Sequence, residues 1–189
     1  MAARIFLISD THFYHANILT FTDSGGKPVR PEFSNVKDMN DHMIERWNSV
    51  VKPEDHIYHL GDLTMERGSH ARAKVALAFV KNLNGHKRLV LGNHDHFDVR
   101  DYREAGFQKI YGCHNLNGIL LTHIPVHPMN IGRFAGNAHG HIHERNSPPG
   151  PYYNCSVEKL AYTPIEFDKV IEQLKFLKAK WDETFLVCP

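Results

Sequence analysis

The amino-acid sequence predicts an α/β fold in which strands and helices alternate through the first half and strands dominate the second. Segment 4–9 is a short apolar run that ends at Asp10, so it is predicted to be a buried strand. Segments 55–60 and 86–91 are predicted to be the second and third strands, which end at Gly61-Asp62 and Gly92-Asn93. Between them, 38–51 and 69–83 carry apolar residues at helical spacing. This β-α-β-α-β order is typical of a sheet covered by helices.

The second half of the chain is predicted to add short strands and a closing helix. In chain order, the predicted elements are a short helix at 98–105, strands at 107–111 and 118–122, a strand ending at Gly140, a strand at 152–157 and a helix from 165 to about 180. Pro164 stands at the first turn of that last helix, where its missing N–H costs little. Without an internal repeat or an obvious linker, residues 1–189 are expected to form one domain.

Composition narrows the classes of function. Lys and Arg number 22 against 21 Asp and Glu, so the near-neutral surface offers no long-range field for gathering polyanions. No apolar run approaches the roughly 20 residues needed to span a bilayer, and the first run is too short for a signal peptide. Cys113, Cys155 and Cys188 form no Cys-x-x-Cys pair and are predicted to be buried, inert thiols. We therefore expect a soluble, cytoplasmic protein with no membrane association.

Metal-ligating side chains follow the predicted strands. The residues at these strand ends are Asp10, His12, Asp62, Asn93, His94, Asp95, His123, His141 and His143. In open α/β sheets, ligands bind at this edge. Asp10 and His12, like His141 and His143, are two residues apart, which in extended backbone directs both side chains to one side.

The type and number of these donors favour two metal ions. Imidazole and oxygen ligands without a thiolate suit manganese, iron or zinc. One ion would not need four histidines, two aspartates and an asparagine. Two cations about 3.5–4 Å apart need a bridging carboxylate and together activate water near neutral pH. Asp62, the central carboxylate in the chain, is the predicted bridge.

These residues form five blocks whose order and spacing resemble the signature of the calcineurin-like metallophosphoesterases. The blocks are Asp10-Thr11-His12, Gly61-Asp62, Gly92-Asn93-His94-Asp95, Thr122-His123 and Gly140-His141-Ile142-His143. Each block alone is common, but five in this order are specific. The segment at 12–18 also resembles a small, uncharacterised bacterial and phage branch of that superfamily.

The resemblance implies a fold, a reaction and a ligand set. The fold would be a four-layer αββα sandwich of two mixed sheets flanked by helices. The reaction would be hydrolysis of phosphomonoesters or phosphodiesters by a metal-bridging hydroxide, with two divalent ions, manganese favoured and iron, zinc or nickel as alternatives. One ion would take Asp10, His12, Asp62 and His143, and the other Asp62, Asn93, His123 and His141. His94 would act on the leaving group as acid or charge stabiliser, oriented by Asp95.

Other functions remain open at this point. A scaffold that has lost its chemistry usually lacks a ligand or the histidine of the Asn-His pair, and this chain has all of them. A protein serine/threonine phosphatase is disfavoured, because segment 61–68 is one residue longer than that group's motif and Asp95 replaces its glutamate. The DNA-repair nucleases of the superfamily usually carry capping domains and basic surfaces, and neither is evident here.

The substrate is expected to be a small phosphate ester, with nucleotides among the candidates. Loops 17–35 and 125–137 are expected to select it, but their composition indicates no specific pocket. Protein partners stay open. So do the roles of polar residues near the ligands, namely His15, His59, His127, His139, Arg133 and Arg145.

Overall fold

The structure, a computed structural model, describes residues 2–186, with side chains described for 2–183. The strands are β1 (Ile5–Ile8), β2 (His56–His59), β3 (His86–Val90), β4 (Lys109–Tyr111), β5 (His114–Leu116), β6 (Ile119–Leu121), β7 (Gly136–His139), β8 (Tyr152–Asn154) and β9 (Ile165–Glu166). The α-helices are α1 (Val36–Val50), α2 (His70–Ala76), α3 (Val99–Ala105) and α4 (Phe167–Leu186). Short 3-10 helices lie at Ala16–Thr20, Ala78–Asn82 and Pro128–Asn130.

The strands form two mixed sheets. The first has the order β4-β3-β2-β1-β9, in which β9 alone runs antiparallel to its neighbour. The second has the order β5-β6-β7-β8, with β5 antiparallel to β6 and the other pairs parallel. Parallel strands end at the same edge of a sheet, so the loops after β1, β2 and β3 lie side by side.

Alternation along β1 separates two hydrophobic layers. Phe6 and Ile8 pack with helix α1 through Met43 and Trp47. Leu7, between them, points to the opposite face and packs with the second sheet and α4. Helix α4 contacts β7 and β8 of the second sheet and β1 and β9 of the first. The prediction of an α/β sandwich of two mixed sheets flanked by helices is confirmed.

Local differences from the predicted elements have tertiary causes. The helix expected at 69–83 is divided at Leu77, which has ψ 4° and lies between α2 and the 3-10 helix Ala78–Asn82. Strand β5 was not predicted. Strand β9 occupies Ile165 and Glu166, where the closing helix was expected to begin, and that helix starts at Phe167. Strand β9 exists through its pairing with β1, in which Glu166 lies opposite Phe6.

The two sheets meet at the edge where the predicted ligands lie. Ser9, just after β1, forms an isolated parallel bridge with Ser156, just after β8. The Val157 N–H donates to the Ser9 carbonyl at 3.1 Å. This junction brings the loops of the first sheet against those of the second.

The cysteine prediction is wrong for one residue. Cys155 is buried, as expected, whereas Cys113 is exposed between β4 and β5. Cys188 lies outside the described residues. No helix in the described part of the chain is long and apolar enough to cross a membrane.

Candidate metal centre

Two groups of side chains that could each hold a metal ion lie at the edge where the sheets meet. Asp10, His12 and His143 form the first group, in which one ligand atom from each residue lies within 4.8 Å of the others. Asp10 and His12 follow β1, whereas His143 follows β7 of the other sheet. The rings of His12 and His143 stack with their centroids 5.2 Å apart. This group is therefore assembled from both sheets.

The second group consists of Asp62, His123 and His141, again with ligand atoms within 4.8 Å of one another. The Asp62 Oδ2 atom lies 3.3 Å from His123 Nε2 and 3.7 Å from Nε2 of His12, in the first group. Asn93 joins the second group, because its Oδ1 lies 3.0 Å from His123 Nε2. The structure thus brings together all seven predicted ligands, with the Asp62 carboxylate between the groups.

The expectation of extended backbone at the paired ligands is wrong. Asp10 and His12 have φ values of 58° and 48°, and His141 and His143 have values of 71° and 51°. Non-glycine residues in this left-handed region are strained and persist only where the surrounding structure holds them. The second pair also divides, since His141 lies in one group and His143 in the other.

Glycines let these loops approach closely. A Cβ atom on Gly92 would meet the Oδ1 atom of Asp62 and lie 2.5 Å from the Asp62 backbone nitrogen. A Cβ atom on Gly61, where φ is +99°, would lie 2.6 Å from both the Gly92 nitrogen and the His123 Nδ1 atom. Side chains at either position would separate the loops that carry the second group.

The electrostatics of the first group suit a cation. His12 is 2% exposed, and neither of its ring nitrogens has a hydrogen-bond partner. Burial lowers the pKa of His12 well below its usual value, and His143 and Arg30 lower it further. Buried polar atoms are ordinarily hydrogen-bonded, and a neutral imidazole whose lone-pair nitrogen has no such partner is suited to bind a metal.

The Asp62 carboxylate is held in its ionised form. Burial alone would raise its pKa, but the hydrogen bond and charge of His123 outweigh this and hold the pKa below its ordinary value. The His94 N–H also donates to Asp62 Oδ1 at 2.9 Å. An anionic oxygen between two sets of imidazoles is the donor expected of a bridging ligand.

Asp95 binds backbone rather than metal. Its Oδ2 accepts N–H groups from Gly92 at 2.8 Å and Asp62 at 2.9 Å, and its Oδ1 accepts that of Leu63 at 3.1 Å. Burial raises the pKa of Asp95 to about 6. The hydrogen bonds described for Asp95 include none to the His94 ring. Asp95 instead joins the loops after β2 and β3, and it is through this backbone that it can influence the position of His94.

Three residues of the site were missed from the sequence. Ser156 Oγ donates to Asp10 Oδ2 at 2.9 Å, Glu158 Oε1 lies 2.9 Å from His143 Nδ1, and Arg30 donates to the Asp10 carbonyl. Ser156 and Glu158 follow β8, which is parallel to β7, so the strand-end rule that located His141 also applied to them. Arg30 lies in a loop and carried no such signal.

The residues with open roles fall into three classes. His15, with an unpartnered buried Nδ1 and its ring centroid 5.6 Å from that of His12, lies at the rim of the first group. His59 and His139 are buried and hydrogen-bonded, to Thr11 Oγ1 and Ser147 Oγ respectively, and burial lowers their pKa values to about 3 and about 4. The residues that are exposed are His127, Arg133 and Arg145.

Comparison with known proteins shows relatives of undefined function. No family model matches the chain. The uncharacterized protein MJ1445 of Methanocaldococcus jannaschii is 34% identical over 179 residues, covering 91% of this chain and 92% of that protein. This chain belongs to the family of that archaeal protein. The Gene 66 protein of Mycobacterium phage D29 is also similar, at 33% identity over 65% of this chain and 64% of its own.

Solved structures support the fold. The protein of unknown function AQ665 from Aquifex aeolicus has a TM-score of 0.67 at 28% identity, covering 90% of this chain and 99% of that chain. Nuclease MPE of Pseudomonas putida has a TM-score of 0.47 at 22% identity over 74% and 62% of the two chains. An archaeal phosphodiesterase has a TM-score of 0.43 at 18% identity over 80% and 82%. The last two likenesses are too low to carry an argument about this chain.

Proposed function

We propose that this protein is a two-metal phosphoesterase that hydrolyses phosphomonoesters or phosphodiesters. The observation that carries the proposal is the Asp62 carboxylate, which lies between two groups of histidines and carboxylates. Two separate metal sites would not need such a shared anion. Both ring nitrogens of His12 are buried without a hydrogen-bond partner, so the one that carries the lone pair is free to bind a cation.

The donors fit two divalent cations, one at each group. We assign Asp10, His12, Asp62 and His143 to one ion and Asp62, Asn93, His123 and His141 to the other, and we favour manganese. When bound, such a pair neutralises charge on phosphoryl oxygens and supplies a water-derived nucleophile near neutral pH. The absence of thiolate ligands leaves iron, zinc and nickel as alternatives.

His94 is proposed to act on the leaving group. Its backbone N–H is fixed by Asp62, and its ring centroid lies 5.8 Å from that of His12, so the ring stands beside the first group. It is part-buried, which leaves it accessible to a substrate. A histidine in this place can donate a proton to a departing alkoxide or stabilise its charge.

The substrate is proposed to enter from a groove beside His143. This groove has a volume of about 560 Å³ and is lined by Phe21, Asp23, His143 and Arg145 among others. Arg145 offers a guanidinium for a phosphate group, and the half-exposed Phe21 ring offers an apolar surface. These features suit a small phosphate ester with an organic leaving group, with nucleotides among the candidates.

The direct test is hydrolysis of bis-p-nitrophenyl phosphate and p-nitrophenyl phosphate with added Mn²⁺. We expect turnover that a chelator abolishes and that Mn²⁺ restores, because the nucleophile depends on the metal pair. No turnover with Mn²⁺, Fe²⁺, Zn²⁺ or Ni²⁺ would contradict the proposal. If metal were nevertheless retained, that result would favour a catalytically silent scaffold.

A His94→Ala variant separates metal binding from catalysis. We expect it to bind both ions as the wild type does, because His94 belongs to neither group of ligands. Its turnover should fall by about 10²–10³, the usual effect of removing one charge-stabilising donor. Metal content and kcat measured on the same preparation check this. His96→Ala, an exposed histidine two residues away, is the matched control.

A further inference from the structure

A buried ion pair lies directly behind the first group of ligands. Arg30 is 1% exposed, and the side chain of Glu158 is 4% exposed. Arg30 donates to Glu158 Oε1 from Nη2 at 2.7 Å and from Nε at 2.8 Å. Removing two charges from water is unfavourable, and a buried pair is weak evidence for stability alone. Stability alone therefore does not account for the Arg30–Glu158 pair, and its role depends on the groups that it contacts.

The same Glu158 oxygen contacts a metal-ligating residue. His143 Nδ1 lies 2.9 Å from Glu158 Oε1, so its Nδ1–H donates to the carboxylate. In the neutral ring this leaves the Nε2 lone pair free, and Nε2 lies 3.9 Å from Asp10 Oδ1. A carboxylate that accepts from one nitrogen of a histidine orients the ring and makes the other nitrogen a better ligand.

Arg30 reaches the other half of the same group. Its Nη1 donates to the Thr11 carbonyl at 3.0 Å, and its Nη2 donates to the Asp10 carbonyl at 2.6 Å. These carbonyls belong to the segment in which Asp10 and His12 adopt left-handed φ angles. One planar guanidinium thus holds the strained backbone of two ligands while its carboxylate partner holds the third.

The second group is held differently. His123 Nδ1 donates to the Leu60 carbonyl at 2.9 Å, a backbone oxygen next to β2. The described hydrogen bonds of Glu158 and Arg30 include none to a ligand of the second group. A change at Glu158 should therefore affect one cation and not the other.

We propose that Glu158 and Arg30 are positioning residues that set the affinity of the first group, Asp10, His12 and His143, for its cation. The inference rests on the proposed two-metal function. On this inference, residues that hydrogen-bond the proposed ligands of the first group set its cation affinity without affecting that of the second.

The test is Mn²⁺ binding to Glu158→Gln, measured by isothermal titration calorimetry on the folded, metal-stripped protein. Glutamine keeps the shape and one acceptor oxygen but removes the charge. We expect one of the two Mn²⁺ affinities to fall by about 10–100-fold, the usual effect of removing such a partner, and the other to be unchanged. Glu166→Gln, which breaks the half-exposed Arg4–Glu166 pair, is the control and should change neither.

A double-mutant cycle identifies the affected ion. In a protein that already carries His143→Ala, Glu158→Gln should cause no further loss of Mn²⁺ affinity, because Glu158 acts through the His143 ring. Added to His141→Ala, it should weaken the remaining site. Arg30→Lys provides a second test should Glu158→Gln fail to fold. Lysine keeps a positive charge beside Glu158 but cannot donate to the Thr11 and Asp10 carbonyls as the planar guanidinium does. It should weaken the same ion.

The outcomes distinguish this inference from the proposed function. Wild-type affinities at both sites in Glu158→Gln and Arg30→Lys would overturn the inference and leave the two-metal function intact. Equal weakening of both sites would also overturn it, because that result indicates a general structural role. A wild-type protein that binds no Mn²⁺, Fe²⁺, Zn²⁺ or Ni²⁺ would overturn both.

Discussion

Replacing Asp62 by alanine is expected to abolish binding of the metal pair and to lower turnover by at least about 10⁴. Removing one preorganised donor costs about 10²–10³ in rate, and this carboxylate is proposed to serve both cations. It lies 3.3 Å from His123 and 3.7 Å from His12, so its loss leaves two sets of imidazoles without the anion between them. Metal content by mass spectrometry and kcat with bis-p-nitrophenyl phosphate measure the effect.

The control for this experiment is Asp41→Ala. Asp41 is an exposed carboxylate on α1 that pairs with Lys37, and surface pairs of this kind contribute little. It should leave metal content and turnover at wild-type values. An Asp62→Ala protein that still held two equivalents of metal would show that the cations, if bound, do not share this carboxylate.

The second large effect is expected at Gly92. A methyl group there would meet Asp62 Oδ1 and lie 2.5 Å from the Asp62 nitrogen, which is backbone and cannot rotate away. We expect Gly92→Ala to destabilise the fold by about 1–3 kcal/mol, the usual cost of overpacking. At about 2–4 °C per kcal/mol for a chain of this length, thermal unfolding should reveal it. Metal binding should weaken as well, because the clash displaces Asp62.

Gly112→Ala separates this steric effect from the general cost of replacing a glycine. A Cβ atom at Gly112 would have nothing within 4 Å, and neither Gly92 nor Gly112 has a left-handed φ. The Gly112 variant should therefore keep the wild-type melting temperature and metal content. If the two variants behaved alike, close packing of the β2 and β3 loops would not be what positions Asp62.

Much of the fold was predictable because it is local. The apolar run of β1, the Gly-Asp and Gly-Asn turns that follow β2 and β3, and the periodic stripes of α1 and α4 identify those elements from short windows of sequence. The parts that failed depend on distant partners. Strand β9 has two residues and is defined by pairing with β1, more than 150 residues earlier. The break at Leu77 lies within a stretch whose periodicity reads as one helix.

The candidate site divides in the same way. The chemical types and strand-end positions of the seven proposed ligands are properties of the sequence, because carboxylates, imidazoles and an amide after predicted strands can be identified directly. How these residues divide between two groups cannot be predicted from the sequence. Asp10 lies close to His143 only because the two sheets join through Ser9 and Ser156. The left-handed backbone of these ligands and the Arg30–Glu158 pair behind them are likewise tertiary. The donor atoms that a residue offers are specified by its own side chain. Which donors lie close together depends on contacts between segments far apart in the chain.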